Sequence, residues 1–568
     1  MLVGIDLGTT NSLVACYKDG KVEIIPNRLG KKLTPSVVAV DDDNNILVGE
    51  TAREYGYLNP ERSAKVFKRS MGTDKVYELG DMKFDSEELS GFVLRSLKED
   101  AEVYIGEKVE EAIISVPAYF NDNQRKATKR AGELAGLNVT RIINEPTASA
   151  LSYGVGDSGK MERCMVFDLG GGTFDVTILE YYKNIMEVYA IAGDNFLGGE
   201  DFTHVLMEMF LRRTYLPITM LDIKSLNNVY KAAEHCKCSF SESDTAKMTV
   251  NIAGQYFEET FTIEEYEEGC KELLEKLRKP IEKSLRDAKI TLDELDRIIL
   301  VGGATKLSIV RNYVQKITGI VPEFCVDPDT SVVVGAALQC AMKQRDKQIE
   351  EVILTDVCPF TLGTEVVKFN GTFDETGHYL PIIERNTVIP VSRKQTVYTA
   401  YDDQKYVTVK VLQGESRLAV NNLLLGELSI DVPAGPKGRE AIEITYTYDV
   451  NSLLEVEVLV VSTGLKKKVI IQNQENKISE EEAEKRFERL QYLKQNPRDD
   501  EENTLALLRA NRMYEETLGP DQEKIGEAID EFNRTMNTGT RLEVENVRRK
   551  LLDLLDEIEN KNFTGLMA

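Results

Sequence analysis

Tryptophan is absent from this chain, histidine occurs only three times, and none of the eight cysteines (16, 164, 236, 238, 270, 325, 340 and 358) sits in C-x-x-C spacing. With imidazoles so few and far apart, no zinc template assembles locally, and the cysteines read as reduced thiols. No apolar run approaches the about twenty residues that span a bilayer. The N-terminus enters a strand at once, without a basic or signal-length apolar segment, so a cytoplasmic location is expected. No long basic run relieves the formal charge of −25, which repels nucleic acid and anionic membrane and suits neutral or basic partners. No G-x-x-x-x-G-K-[ST] occurs, and Asp175 stands where a dinucleotide fingerprint needs its last glycine, so the P-loop and Rossmann routes to a nucleotide are closed.

One turn, however, is present twice. Ile5-Asp6-Leu7-Gly8-Thr9-Thr10-Asn11 and Phe167-Asp168-Leu169-Gly170-Gly171-Gly172-Thr173 each run from an apolar strand through an aspartate to glycines and hydroxyl residues. Glycine lets backbone N–H groups approach anionic oxygens, and the hydroxyls add donors. Taken singly, either turn fits a tight hairpin equally well. Together they read as a clamp on a polyphosphate. An aspartate beside each turn would repel phosphate unless a cation stood between them, which implies a magnesium nucleotide held through waters and carboxylates.

A chain of 568 residues exceeds a single core. Strand-like runs at 2–6, 12–17, 112–116, 163–168, 175–180 and 297–301 alternate with helical patterns near 85–104, 121–135, 200–212 and 263–288. This predicts an α/β region of two related lobes around a crevice, with Gly302-Gly303 as a third glycine turn. From about 389 to 472, alternating segments (Thr396 to Tyr401, Tyr406 to Leu412, Ala441 to Tyr448, Leu454 to Val461, Lys467 to Gln472) predict an antiparallel β-sandwich. Between them, Glu350 to Val357 reads either as an ordinary buried strand or as a linker that docks and releases. A capping box at Ser479 to Glu482 opens a helical end, with helices expected at 479–494, 503–518, 521–537 and 541–559. The boundaries expected are 1–348, 349–357, 358–475 and 476–568.

This order of parts resembles the heat-shock protein 70 (DnaK) chaperone family. Literal runs carry the resemblance: IDLGTTNS at 5–12, SVPAYFNDNQRKATKRAGELAGLNVTRIINEPTASALSYG at 115–154, FDLGGGTFDVTIL at 167–179 and LGGEDF at 197–202. Short lid helices and no polar tail make it similar to the divergent HscC-like branch. The resemblance implies a two-lobed, duplicated actin-like ATPase domain (1–348), an interdomain linker (349–357), a peptide-binding β-sandwich (358–475) and an α-helical lid (476–568). It also implies ATP/ADP and Mg2+ as cofactors, with K+ as a further cation.

By that resemblance, Asp6, Asp168 and Glu145 hold hydrated magnesium, Lys68 orients the attacking water, and Thr173 bonds the γ-phosphate. Phosphoryl transfer needs mainly positioning and charge neutralisation, which a lysine, a metal and fixed donors supply. In isolation, Lys68 is a solvated lysine and Glu145 a charged turn residue; the FKR-type and Asn-Glu-Pro contexts decide. Nucleotide contacts are implied for Gly8, Thr9, Thr10, Asn11, Gly170, Gly171, Gly172, Gly199, Glu234, Lys237, Ser241, Gly302, Gly303, Lys306 and Asp329. Cys238 replaces an arginine that stacks on adenine, and Ala304 and Lys306 replace the usual serine and arginine. Loss of two guanidinium planes predicts weaker nucleotide binding, by about 1 to 2 kcal/mol.

Pro117 and Arg125 match the family's proline switch and relay, and Arg141, Asn144 and Asp356 match positions that meet a J-domain co-chaperone. The linker reads Val-Ile-Leu-Thr, with Leu354 among the apolar side chains that would dock. Leu362, Thr364, Val367, Val397, Ala400, Val407, Val409, Ile442 and Ile444 fall where the family lines a channel for extended apolar peptide, with Val367 and Ala400 arching over it; by themselves these are plain sandwich core. The block after Met71 is short, which leaves open which nucleotide exchange factor fits. Expected partners are unfolded polypeptides, a J-domain co-chaperone and an exchange factor, with no nucleic acid, no membrane and a monomeric chain. The rivals are a small-molecule kinase or a filament protein of the same ATPase superfamily; neither accounts for the sandwich and lid.

Overall fold

The computed structural model describes residues 1–153, 161–182, 185–252, 255–324, 327–344, 353–369, 374–449, 453–471, 501–517, 519–538 and 541–565. Two units, Met1–Phe360 and Thr361–Ala568, hold most of their contacts internally.

In the first unit, Leu2–Asp6 runs parallel to Glu111–Val116, which runs parallel to Asn138–Asn144. On its other side lie Asn11–Lys18 and Lys21–Ile25, both antiparallel. A second sheet repeats the plan: Glu162–Leu169 is parallel to Arg297–Val301 and antiparallel to Phe174–Tyr182, which is followed by Ile185–Asp194. Helices cover these sheets, so the central strands read as continuous apolar runs with Val3, Ile5, Met165, Val166 and Phe167 at 0% exposure. Each glycine turn is the hairpin between two antiparallel strands of its sheet, so the simple hairpin and the phosphate clamp are one structure here.

The strands expected in this unit all form within two residues of the expected ends, whereas in the second unit the strand expected at Thr396 to Tyr401 is Val391–Tyr398. Three expected helices appear as Ser86–Ile105, Asp122–Leu134 and Gly199–Arg213. The second begins in a capping box between Asn121 and Gln124. The helix expected over 263–288 is instead two, Ile263–Gly269 and Lys271–Ala288, broken where poorly helical Gly269 meets Cys270. Ile353–Val357 is a strand, and it extends the second sheet by pairing parallel to Ile185–Glu187.

The second unit contains two four-stranded antiparallel sheets. One orders Asp374–Ile383, Leu362–Phe369, Tyr406–Gln413 and Leu423–Asp431; the other Val391–Tyr398, Ala441–Tyr448, Leu454–Val460 and Lys466–Ile471. Three strands here, Leu362–Phe369, Asp374–Ile383 and Leu423–Asp431, escape the alternation pattern, with Gly363, Gly377, Pro381 and Gly426 interrupting it. Helices Glu501–Glu516, Pro520–Thr538 and Arg541–Gly565 follow, with Ile525, Phe532 and Met536 buried against Leu551, Leu555 and Ile558. The helix expected at 479–494 lies outside the described residues.

Candidate active site

The two glycine turns meet. A Cβ placed on Gly171 would sit 1.8 Å from Thr10 Oγ1, and one on Gly172 would sit 2.4 Å from Thr9 Cγ2, so only glycine permits this approach. The turns border a cavity of about 390 Å3. Every expected catalytic and nucleotide-contacting residue lines it except Gly172, which Thr9 and Arg69 cover.

Lys68 enters the cavity on the short 3-10 turn Phe67–Ser70. That turn follows Val66, a β-branched residue held at φ 59°, where L side chains are strained. The Lys68 side chain is 3% exposed and its Nζ lies 2.7 Å from Glu145 Oε1. Asp6 Oδ1 accepts from Ser115 Oγ at 2.9 Å. Burial pushes the Asp6 carboxyl up to about 7, and the nearby Glu145 charge adds to it. Asp168 is raised well above the usual carboxylate range by burial and then by Glu145 and Asp175. Asp175 is pushed up to about 7 for the same first two reasons.

These carboxylates call for positive charge or donors. Asp168 Oδ2, Asp175 Oδ1 and Thr10 Oγ1 are buried with no hydrogen-bond partner. Among the described residues no three His, Cys, Asp or Glu side chains converge to grip a bare ion. Orphaned acceptors without a direct ligand set fit a hydrated cation, whose waters donate to carboxylates while phosphate completes its shell. Asp6, Glu145 and Asp168, which line the cavity, fit that role.

On the other side of the cavity, Lys237 Nζ donates to Gly199 O at 3.1 Å, Thr203 Oγ1 at 2.8 Å and Glu234 Oε2 at 2.7 Å. Ser241 Oγ donates to Cys238 O at 2.6 Å. Cys238 Sγ is exposed, 3.7 Å from Glu234 Oε1. Lys306 is tied to Asp329 and lies 3.6 Å from Asp327. Gly302 takes φ 82° to let Gly303 and Ala304 turn beside Asp329.

Of the residues expected to carry a signal, Arg125, Asn144 and Asp356 lie on one hydrogen-bonded line that starts at Asp175, the residue paired opposite Asp168. Asp175 Oδ2 accepts from Ala118 N at 2.9 Å, directly after Pro117. Arg125, 7% exposed rather than a surface residue, donates to Ala118 O and Phe120 O at 3.0 Å and to Asn144 Oδ1 at 2.6 Å. Asn144 Nδ2 then donates to Asp356 Oδ2 at 2.7 Å. Burial raises the Asp356 carboxyl, opposed by its bond to Val357 N and the charges of Arg125 and Arg141. The Leu354 backbone is paired opposite Met186.

In the second unit, Leu362, Thr364, Val409, Ile442 and Ile444 are at most 2% exposed, while Val367, Val397, Ala400 and Val407 are half-buried.

Sequence reasoning missed three contributors. Arg69, beside Lys68, donates through Nε to Gly172 O at 2.8 Å and binds Asp201 Oδ2 at 2.6 Å, fastening one lobe to the other. Asp175 was legible in principle, since hairpin register sets it directly opposite Asp168. Tyr230, which donates to Glu200 Oε2 at 2.5 Å beneath Lys65 Nζ 3.1 Å from its ring centroid, carries no sequence signal.

A family model described as Hsp70 protein matches residues 2–565. A chaperone protein DnaK from Thermotoga petrophila is 41% identical over 86% of this chain and 83% of its own length. The chaperone proteins DnaK of Thermosipho melanesiensis and Thermosipho africanus are each 40% identical, over 88% and 86% of this chain and 85% and 82% of their own.

Proposed function

The chain belongs to the Hsp70 family and is an ATP-dependent molecular chaperone, an ATPase; from that premise we propose how its parts divide the work. Residues 1–348 bind and hydrolyse the nucleotide, 349–357 form the linker, 358–475 hold client peptide and 476–568 form the lid. ATP binding and hydrolysis switch client affinity through the linker. A kinase or filament protein of the same superfamily has no use for the sandwich and lid.

The reading rests on one observation. Two glycine turns wall a cavity lined by Asp6, Glu145 and Asp168, and Asp175, paired directly opposite Asp168, begins a hydrogen-bonded chain through Ala118, Arg125 and Asn144 to Asp356 in strand Ile353–Val357. In it, Lys68 holds the attacking water and Thr173 the terminal phosphate, while Glu145 keeps the Lys68 ammonium in place. Asp6, Asp168 and Glu145 hold the cation's waters, with K+ as a further counter-ion. Magnesium, when bound, neutralises charge on the phosphate oxygens. Little else is required of the protein, because such transfers respond chiefly to positioning and fixed charge. Exposed Cys238 and tethered Lys306 offer the base no guanidinium face, so nucleotide binds less tightly than an arginine pair would allow.

Asp356, Asn144 and Arg141 give a J-domain co-chaperone its docking point, where a basic partner surface suits a chain of charge −25. A nucleotide exchange factor and unfolded polypeptides complete the partners; the chain works as a monomer in the cytoplasm. Among the described residues no helix is long and apolar enough to cross a membrane. Single-turnover ATP hydrolysis with and without an unfolded peptide tests the whole: acceleration by peptide is expected, and equal rates would overturn it.

A further inference from the structure

The sandwich buries two polar atoms that nothing in it satisfies. Thr364 is 1% exposed and His378 is 5% exposed. Thr364 Oγ1 and His378 Nδ1 are both buried without a hydrogen-bond partner. The other ring nitrogen, His378 Nε2, lies 2.8 Å from Glu375 Oε2. A carboxylate accepts, so Nε2 carries a proton, and in the neutral ring Nδ1 then presents a lone pair.

The two atoms belong to neighbouring positions on one face. Strand Leu362–Phe369 pairs with Asp374–Ile383 so that Thr364 stands opposite Leu380 and Val366 opposite His378. Directly opposed residues share a face, and alternate residues keep it. Thr364 and His378 are therefore diagonal neighbours, whose Cα atoms such geometry sets about 7–8 Å apart. Neither atom serves as the other's partner, although both stand on the same face. Buried hydroxyls and imidazoles in folded proteins almost always find partners, and each exception calls for a reason.

We propose that Thr364 and His378 form a polar pocket in the client channel, which selects extended segments carrying a hydroxyl or carboxamide side chain among apolar neighbours. The inference rests on the reading of the sandwich as the client site. Nδ1 requires a donor, and the threonine hydroxyl donates or accepts. Ser, Thr, Asn and Gln side chains each supply both functions in one group; Leu and Val supply neither. An aliphatic side chain seated there leaves both atoms unsatisfied, and a site built around such atoms rejects the ligand lacking the matching group.

The test uses the full chain loaded with ADP and short fluorescent peptides identical except at the central residue: Val, Thr, Leu or Asn. Thr and Val share a shape, so their comparison isolates the hydroxyl. The wild type is expected to bind Thr-centred over Val-centred peptide by about tenfold, the effect of one to two net hydrogen bonds. Thr364→Val and His378→Gln should each reduce the preference, and the pair should abolish it. Glutamine keeps the amide donor toward Glu375 while deleting Nδ1, and Thr364→Ser, which keeps the hydroxyl, should retain the preference. Equal or Val-favouring binding by the wild type, unchanged in the variants, would overturn the proposal and assign the two atoms to a buried water. Peptides of every kind binding in no nucleotide state would instead remove the client site itself, and the pocket with it.

Discussion

In the first lobe Asp6 receives Ser115 Oγ at 2.9 Å, whereas in the second the corresponding Asp168 keeps a carboxyl oxygen buried without a partner. The lobes differ in a second way. Strand Lys21–Ile25 ends the first sheet among the described residues, but its counterpart Ile185–Asp194 accepts Ile353–Val357 as a further parallel strand. Two sheets of one plan have thus diverged. The first lobe holds the buried ion pair of Lys68 and Glu145, proposed above to act in hydrolysis; the second carries the unsatisfied aspartates and the added strand Ile353–Val357. A duplicated site becomes a switch when only one copy is wired to the outside.

The largest effect should come from the fixed pair. Lys68→Ala is expected to lower single-turnover hydrolysis about 10²–10³-fold. It also strands Glu145, 8% exposed, which should destabilise the protein by about 3–5 kcal/mol in denaturant unfolding. Lys68→Met with Glu145→Gln should restore stability without restoring activity.

Next, Asp168→Asn and Asp6→Asn should each slow magnesium-dependent hydrolysis by about 10²-fold. The lobes should part company in melting of the nucleotide-free protein. Asp168→Asn removes a group whose charged form burial and three nearby carboxylates oppose, so it should raise the melting temperature more than Asp6→Asn, whose charge Ser115 already supports. Equal shifts would erase the distinction.

Leu354→Asp places a charge in the strand added to the second lobe. Basal hydrolysis should stay within about twofold while stimulation by peptide disappears, as expected when a biased two-state equilibrium loses its docked arm. Stimulation left intact would argue that the linker strand is passive. Cys238→Arg should tighten a fluorescent ADP analogue about 5- to 30-fold through a restored planar cation. Unchanged or weaker binding would remove the idea that the base side is underbuilt. Ser115→Ala should have the smallest effect, a few-fold loss of hydrolysis, consistent with one hydrogen bond of about 1 kcal/mol.

The clamp was legible because its chemistry is contiguous: an aspartate, glycines and hydroxyls within a few residues, written twice. Lys68 and Glu145 were legible only through their local runs, since nothing in either stretch announces a partner 77 residues away. Asp175 illustrates what pattern reading overlooks. It counted only as a missing glycine, although four-residue hairpin closure places it opposite Asp168. The burial of Arg125 is not legible, because helical periodicity does not say which polar face meets another element. The break at Cys270 and the strand Leu423–Asp431 were hidden because single glycines weaken local signals that tertiary packing then overrides.

The account turns on nucleotide state changing the grip on an extended polypeptide. Affinity of the full chain for one labelled unfolded peptide, measured with ATP, with ADP and without nucleotide, tests this most directly. Weaker, faster-exchanging binding with ATP than with ADP is the expected result, and one affinity common to all three states would contradict it.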